Sequence, residues 1–511
     1  MPSLRALRTR VSHRHGLVPL TATGASLVAA LAVSLAPLPD AVRPAAARDG
    51  VARAAVATPQ SDGPNVVLVT TDDQTLEELR WMPRTRRLLG AQGVTFSEAI
   101  SPHPLCCPAR AEILTGQFAQ NNGVRHNRGR YGGFKRLDTG STLATWLHDA
   151  GYRTAFVGKF LNGYSPKVTV PGWDVWNPVV QGVYRYYGYK MWEDGDPHRY
   201  RHVHSADLVG RRTVDYVEEL SGDRPFFIWS SHIAPHSTKE RDAGTWMPPE
   251  PAVRHAGLFP GVEAASVASP SFNERDVSDK PVAIARLAPQ DPAAMSEAYR
   301  QRIRALQSVD EAVGDTVRAL REAGELEDTL LLFTSDNGYL LGEHRFAGKD
   351  VPYEEAMRVP LLVRGPGVPH GAVRPQTVTT VDLAPTITEY AGVTPGLEVD
   401  GRGLRGTIED ARGAGWDTVL IQAGTADRDE LAYGWHYRGV RTDRYTYVSY
   451  PTEPFAELYD RRRDPSELTN VADEPDYAAV RTELERRMTA LVGCTGTECR
   501  VDFGPVPKPG R

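Results

Sequence analysis

The chain has 511 residues, 41% of them hydrophobic and 24% charged, with a formal net charge of -5. A chain of this length and apolar content buries a large core and forms more than one structural unit. Its slight net acidity gives no reason to expect nucleic acid as a partner.

At the N-terminus, Arg5, Arg8, Arg10 and Arg14 precede an apolar run from Leu17 to Leu38 and the small residues Ala41 to Ala47. Basic, apolar and small segments in that order read as a secretory signal peptide, residues 1–48, removed near residues 40–50. An uncleaved anchor is the alternative, because the run is nearly long enough to span a bilayer. Thr21, Thr23, Ser26, Ser34 and Pro37 dilute it, so export without a stable membrane partner is the expectation. Residues 49–63 read as a linker.

The fold begins with Pro64-Asn65-Val66-Val67-Leu68-Val69-Thr70-Thr71, a β-branched apolar run of the kind buried on both faces of a sheet, and it ends in Asp72 and Asp73. Ligands collect at the carboxyl ends of strands in open α/β sheets, which places both carboxylates where a site belongs. Residues 101–117 follow, Ser-Pro-His-Pro-Leu-Cys-Cys-Pro-Ala-Arg-Ala-Glu-Ile-Leu-Thr-Gly-Gln. Their prolines predict a turn at Cys106, then a helix from about Ala109 that ends at Gly116. A side chain just ahead of a helix N-terminus, with Arg110 in the first turn, suits a tetrahedral oxyanion such as sulfate or phosphate.

Further along, a helix is predicted over 141–151 and a strand over Thr154 to Val157, with Lys159 just past its end. The Trp and Tyr residues of 165–200 suit either stacking on sugar rings or core packing. A helix over 207–220 leads to the strand 224–230, followed by His232 and His236. Residues 239–295 lack periodicity and read as an excursion over the sheet ends. A helix over 298–324 and the strand Thr329 to Ser335 then deliver Asp336 and Asn337. Asp72, Asp73, Asp336 and Asn337 thus come from two strand ends and together supply hard oxygen ligands for Ca²⁺, with Mg²⁺ as the alternative. Alternating strands and helices predict an α/β layered domain, 64–395, around a mostly parallel central sheet. Past Gly392 the texture changes, and residues 396–511 read as a smaller α+β subdomain with strands near 418–422 and 445–450 and a helix over 476–491. Cys494 and Cys499 are spaced to close a short disulfide loop.

The run Leu105-Cys106-Cys107-Pro108-Ala109-Arg110-Ala111 with Ile113-Leu114-Thr115-Gly116 resembles the hallmark of the type I sulfatases. The adjacent cysteines resemble the N-acetylglucosamine-6-sulfatase and arylsulfatase branch. The resemblance implies an alkaline-phosphatase-like fold, and a formylglycine made from Cys106 by a formylglycine-generating enzyme. It implies a calcium site formed by Asp72, Asp73, Asp336 and Asn337 together with the modified Cys106. It further implies that Arg110 holds the modified residue, that Lys159 and Lys349 bind the sulfate, and that His236 protonates the leaving alcohol. Many members carry a histidine two residues after the first lysine; here Leu161 stands there, followed by Asn162, which is expected to take over part of the hydrogen bonding. His344 is expected to line the same pocket. The implied activity is that of a secreted sulfatase acting on a sulfated small molecule or glycan. Two other readings remain open: a phosphodiesterase or phosphonate monoester hydrolase of the same superfamily, and a non-catalytic sulfated-glycan-binding relative.

Overall fold

The computed structural model describes residues 62–193, 195–239, 246–426 and 434–510, all within a compact unit spanning 57–511. The expected signal peptide, residues 1–48, and nearly all of the linker lie outside the described residues. Among the described residues, no helix is long and apolar enough to cross a membrane.

The strands in chain order are β1 (Asn65–Thr71), β2 (Val94–Ile100), β3 (Arg153–Gly158), β4 (Val175–Gln181), β5 (Tyr189–Glu193), β6 (Asp196–Tyr200), β7 (Phe226–Ser231), β8 (Thr238–Lys239), β9 (Trp246–Met247), β10 (Thr329–Ser335), β11 (Leu340–Leu341), β12 (Ala347–Gly348), β13 (Leu361–Arg364) and β14 (Ala372–Thr379). Ten of them form one sheet in the order β14-β2-β13-β10-β1-β7-β3-β4-β5-β6. The centre, β10-β1-β7-β3-β4, is parallel throughout. β13 runs against both of its neighbours, and the β5–β6 hairpin extends the far edge.

All seven residues of β1 and of β10 are buried. The reason is the two-residue period of a strand, which sends alternate side chains to opposite faces. Val66, Leu68, Trp229, Leu330 and Leu332 enter one core, shared with the helices Cys106–Thr115, Leu143–Asp149 and Leu383–Ala391. Val67, Val69, Ile228, Leu331 and Phe333 enter the other, shared with Ser205–Leu220 and Pro292–Glu322. That last helix starts earlier than the apolar period suggested, because the Asp291 side chain accepts from the Ala293 N–H and Pro292 occupies the first turn, where no donor is needed.

The C-terminal portion forms the antiparallel sheet β15 (Thr418–Gly424), β16 (Trp435–Thr442), β17 (Tyr445–Ser449) and β18 (Ala456–Asp460), with the helix Ala478–Leu491 packed on it. The buried Arg441 of β16 ties it to the large sheet through Glu354 and Glu98, at 2.6 and 2.7 Å.

Cys494 and Cys499 are joined in a disulfide across a sequence separation of 5. So short a loop removes only modest freedom from the unfolded chain. Replacing both with alanine is expected to lower the unfolding free energy by about 2 kcal/mol, measured by urea titration with the wild type alongside.

Candidate active site

Four strand ends and one helix start meet above the carboxyl edge of the sheet. Because β1 and β10 run parallel with Thr71 beside Ser335, Asp72 and Asp336 emerge side by side, and the Asp336 N–H donates to the Thr71 carbonyl at 3.2 Å. Asp73 follows in a left-handed conformation, φ 69°, its carbonyl held by Arg302 of the helix Pro292–Glu322. At the end of β3, Gly158 has φ 110°, and a Cβ there would lie 1.9 Å from the Ser231 carbonyl oxygen, so only glycine fits. The turn it permits delivers Lys159 into the site.

Cys106 is the first residue of its helix rather than part of a turn ahead of it. The extended Leu105 serves as the cap residue, and Pro108 falls within the first turn, where its missing N–H costs nothing, so the prolines do not delay the helix. The Cys106 thiol is wholly buried, 3.3 Å from Asp72 Oδ1 and 2.8 Å from Lys349 Nζ. Burial, with the Asp72 charge adding to it, pushes this thiol up to about 12; burial likewise takes Cys107 up to about 11.

Arg110 has no exposed surface. Its Nε donates to Asp336 Oδ2 at 2.9 Å, and one terminal nitrogen donates to the Lys159 carbonyl at 2.8 Å and to Ser231 Oγ at 2.6 Å. Lys159 pairs with Asp72, and Lys349 with Asp73. Burial alone would raise the Asp72 and Asp73 carboxyls, but Lys159 and Lys349, with His236, outweigh it and hold both below the usual range. Burial and the neighbouring Asp72 bring Asp336 up to about 6, which leaves it ionised at neutral pH. His236 Nδ1 lies 2.7 Å from the Ser237 carbonyl, so Nδ1 carries the proton and Nε2 faces Asp73 Oδ2 at 3.6 Å. Burial drops this imidazole to about 4, against the pull of Asp73 and Asp72.

The donor set suits a hard cation. Ligand atoms of Asp72, Asp73, Cys106 and His236 lie within 4.8 Å of one another. Asn337 donates its amide nitrogen to Asp73 Oδ1, while its Oδ1 is buried with no hydrogen-bond partner. A buried bare carbonyl beside paired carboxylates is an oxygen ligand in waiting. Asp336 differs from that set: its Oδ2 is engaged by Arg110, and its Oδ1 accepts from the Asp73 and Asn337 N–H groups.

Other expected residues fall at varying distances from this centre. Asn162 donates to Tyr184 Oη at 2.6 Å and its N–H meets Cys107 Sγ at 3.1 Å. Leu161 packs in the core. His344 is turned toward Glu274, 2.6 Å away, and stacked on Tyr353, so its bonds go elsewhere than the aspartates. His232 is buried against Ser230. Sequence reasoning missed Tyr184, whose ring stacks on His236 at 4.6 Å and lies 5.0 Å from Lys159 Nζ. It also missed Arg302 and Ser231. The aromatic richness of 165–200 was the one signal for Tyr184; Trp173 and Trp176 from the same stretch pack against Phe156 in the core.

This fold and site define a hydrolase of the alkaline-phosphatase-like class. Residues 64–393 match the family model described as Sulfatase, and 342–493 match that described as N-sulphoglucosamine sulphohydrolase, C-terminal. The chain belongs to the sulfatase family. It is 30% identical to the N-acetylglucosamine-6-sulfatase of Homo sapiens, over 86% of both chains, and 32% identical to an arylsulfatase of Volvox carteri, over 85% of this chain and 75% of that one. It is 33% identical to a putative extracellular sulfatase Sulf-1 homolog of Caenorhabditis elegans over 66% of this chain, and the match spans only about half, 48%, of that relative. Among solved structures, a protein in complex with its substrate D-glucosamine-2-N,6-O-disulfate shares the fold at TM-score 0.67 and 22% identity, over 84% of this chain and 97% of that one. A phosphonate monoester hydrolase of Agrobacterium radiobacter shares it at TM-score 0.65 and 21% identity, over 83% and 95%.

A thiol held near 12 is almost wholly protonated at pH 8, and the thiolate is the reactive form. Unmodified Cys106 and Cys107 are therefore expected to resist iodoacetamide at pH 8 in the native protein and to label fully after denaturation. Peptide mass spectrometry reads both states.

Proposed function

We propose that this chain is an exported sulfatase that hydrolyses sulfate monoesters of sugars, with a hexosamine 6-sulfate as the leading candidate. The observation that carries the reading is the buried convergence of Cys106, Arg110, Lys159, His236 and Lys349 on Asp72 and Asp73. The reading assigns residues 64–395 to the catalytic domain and 396–511 to the C-terminal subdomain. Export rests on the basic-apolar-small order of residues 1–48, and the named extracellular sulfatases among the relatives support it.

Formylglycine at position 106 would provide the nucleophilic oxygen, and Asp72, Asp73, Asp336 and Asn337 would hold a divalent cation, Ca²⁺ or Mg²⁺, that would contribute positive charge to the sulfate site. The protein's own residues do the rest. Three buried carboxylates, Asp72, Asp73 and Asp336, face the buried cations Arg110 and Lys159 and the partly buried Lys349, so these side chains sum to zero charge. A divalent cation leaves the site with a surplus of two positive charges, which matches a sulfate dianion as it forms. Lys159 and Lys349 lie on the carboxylates and are long enough to turn toward the substrate oxygens. Arg110 orients both Asp336 and the Lys159 backbone. His236, with its Nδ1 proton committed to Ser237, has a bare Nε2 at neutral pH because burial holds the imidazole neutral; to protonate the departing alcohol it would first take up a proton at Nε2 as the substrate's negative charge arrives beside it. The stacked Tyr184 ring fixes the plane of that imidazole.

The deciding experiment is peptide mass spectrometry across residues 88–110 together with sulfate release. Active protein is expected to carry a hydrazine-reactive aldehyde at position 106, and Cys106→Ala to lose turnover by more than about a thousandfold; unmodified Cys106 in active protein sinks the reading. Faster hydrolysis of a phosphodiester than of a sulfate ester with the same leaving group would instead favour a phosphonate monoester hydrolase. Glycan binding without any turnover would favour a non-catalytic relative. A second expectation concerns the proton. His236→Asn is expected to cut kcat on a sugar sulfate about a hundredfold or more, and on a nitrophenyl sulfate, whose phenolate leaves without help, less than about tenfold.

A further inference from the structure

Cys107 and Asn162 lie beside the catalytic centre, and the reaction as drawn gives neither a task. Cys107 directly follows the nucleophile position, is wholly buried, and is kept a thiol by that burial. Its Sγ accepts from the Asn162 backbone N–H at 3.1 Å, while its own N–H donates to Asn127 Oδ1 at 2.8 Å. The Asn162 carbonyl accepts from the Phe134 N–H at 2.8 Å, so the backbone of residue 162 is held on both sides. Its side chain then reaches outward, and Nδ2 donates to Tyr184 Oη at 2.6 Å.

Tyr184 is clamped at both ends. Asn162 holds its hydroxyl, and its backbone carbonyl accepts from Thr238 Oγ1 and from the Lys239 N–H, both at 3.0 Å, which fastens it to β8 just beyond His236. Between those anchors the ring meets two groups of the site at once. It stacks on His236 at an interplanar angle of 26° with centroids 4.6 Å apart, and it lies 5.0 Å from Lys159 Nζ. Trp246 adds a second ring, with centroids 5.4 Å from His236 and 5.1 Å from Tyr184. The His236 backbone is fixed separately, its N–H donating to the Ile233 carbonyl at 2.9 Å and its carbonyl accepting from Tyr186 Oη at 2.7 Å. What remains to be set is the plane of the imidazole, and the phenol face covers it. Burial, against the pull of Lys159, keeps the Tyr184 phenol protonated far above its ordinary range, so the ring meets the ammonium as a neutral π-face.

We propose that Tyr184 is a positioning residue that sets His236 and Lys159 in fixed relation to each other, and that the Cys107–Asn162 contact is the strut that fixes where its ring stands. The inference rests on the sulfatase reading above and deepens it. Lys159 follows β3 and His236 follows β7, so the sulfate-binding and proton-delivering groups come from different strand ends and are brought into register by one ring. A continuous chain, Cys107 to Asn162 to Tyr184 to His236, then runs from the residue beside the nucleophile to the leaving-group end. The second cysteine thereby gains a task of its own. Sulfur is a large acceptor, and its radius sets the separation between the start of the helix Cys106–Thr115 and the turn that follows Lys159.

The test uses two sulfate esters: a sugar 6-sulfate, whose alkoxide needs a proton to leave, and nitrophenyl sulfate, whose phenolate does not. Tyr184→Leu removes the ring and is expected to lower kcat about a hundredfold on the sugar ester and about tenfold or less on the nitrophenyl ester, with KM rising about threefold on both as Lys159 loses its place. Tyr184→Phe keeps the ring and loses its anchor, and it is expected to cost about tenfold in kcat on the sugar ester and to stay within about twofold on the nitrophenyl ester. Equal losses on the two esters, as general damage to the fold produces, or losses within about twofold on both, overturn the proposal. Should Tyr184→Leu misfold, Tyr184→Phe decides by the same comparison.

A double-mutant cycle reads the strut, with kcat expressed per formylglycine found by mass spectrometry. Asn162→Ala is expected to cost about as much as Tyr184→Phe on the sugar ester, and the two together no more than the worse of them, whereas additive losses overturn the chain. Cys107→Ser keeps an acceptor and shortens it; it is expected to cost about threefold in the wild-type background and nothing further beside Asn162→Ala, and an undiminished loss there overturns the strut. If the wild type hydrolyses no sulfate ester, the sulfatase reading fails and the positioning role is decided without turnover. In isotope-labelled protein the ring resonances of His236 are expected to move toward free-histidine positions in Asn162→Ala and in Tyr184→Leu as the stacked ring departs, and resonances that stay in place overturn the proposal.

Discussion

The site depends on a single buried guanidinium. Arg110 joins the helix that begins at Cys106 to the ends of β3, β7 and β10, through the Lys159 carbonyl, the Ser231 hydroxyl and the Asp336 carboxylate. A planar fork does this where a lysine would not, because its nitrogens donate in several fixed directions at once. Taking such a charge out of water is costly, and losing one partner of a buried pair commonly costs about 3–5 kcal/mol because the other is left uncompensated. The same bonds that stabilise the strand ends therefore set the spacing between Cys106, Lys159 and the aspartates.

Around that clamp the electrostatics are tightly balanced. Asp72 and Asp73 stay ionised only because Lys159 and Lys349 stand against them, and the lysines stay charged for the same reason. Paired charges in a low-dielectric pocket are strongly coupled. A ligand that draws either lysine away from its aspartate must leave a cation, or its own charge pattern, in exchange. Arg302 adds a mechanical constraint from behind, gripping the Asp73 carbonyl and Glu78 from a 31-residue helix.

Much of this was legible in the sequence because the strands are extreme. β1 and β10 are apolar runs buried on both faces, and such runs followed by acidic residues point to the carboxyl edge of a sheet. Cys106 was placed in the right neighbourhood but in the wrong conformation, since three prolines outweighed the capping ability of an extended Leu105. Tyr184 and Trp246 were not legible, because their role comes from loops meeting across the sheet ends, and one aromatic among many gives no periodic signal. Arg302 was hidden for a related reason: its position on the helix looks like any other half-polar site, and only the tertiary meeting with Asp73 separates it from a solvated arginine.

Cys106 has no surface that a second macromolecule can reach once the helix Cys106–Thr115 is seated between sheet and lysines. Any enzyme that oxidises this thiol has to draw the peptide into its own cleft, which is feasible only while the strands on either side are still apart. On the proposed reading, the modification would therefore be a matter of timing as much as of recognition. Under that reading, a chain that folded before modification would close around an inert thiol, and the active fraction would be set before the sheet closes.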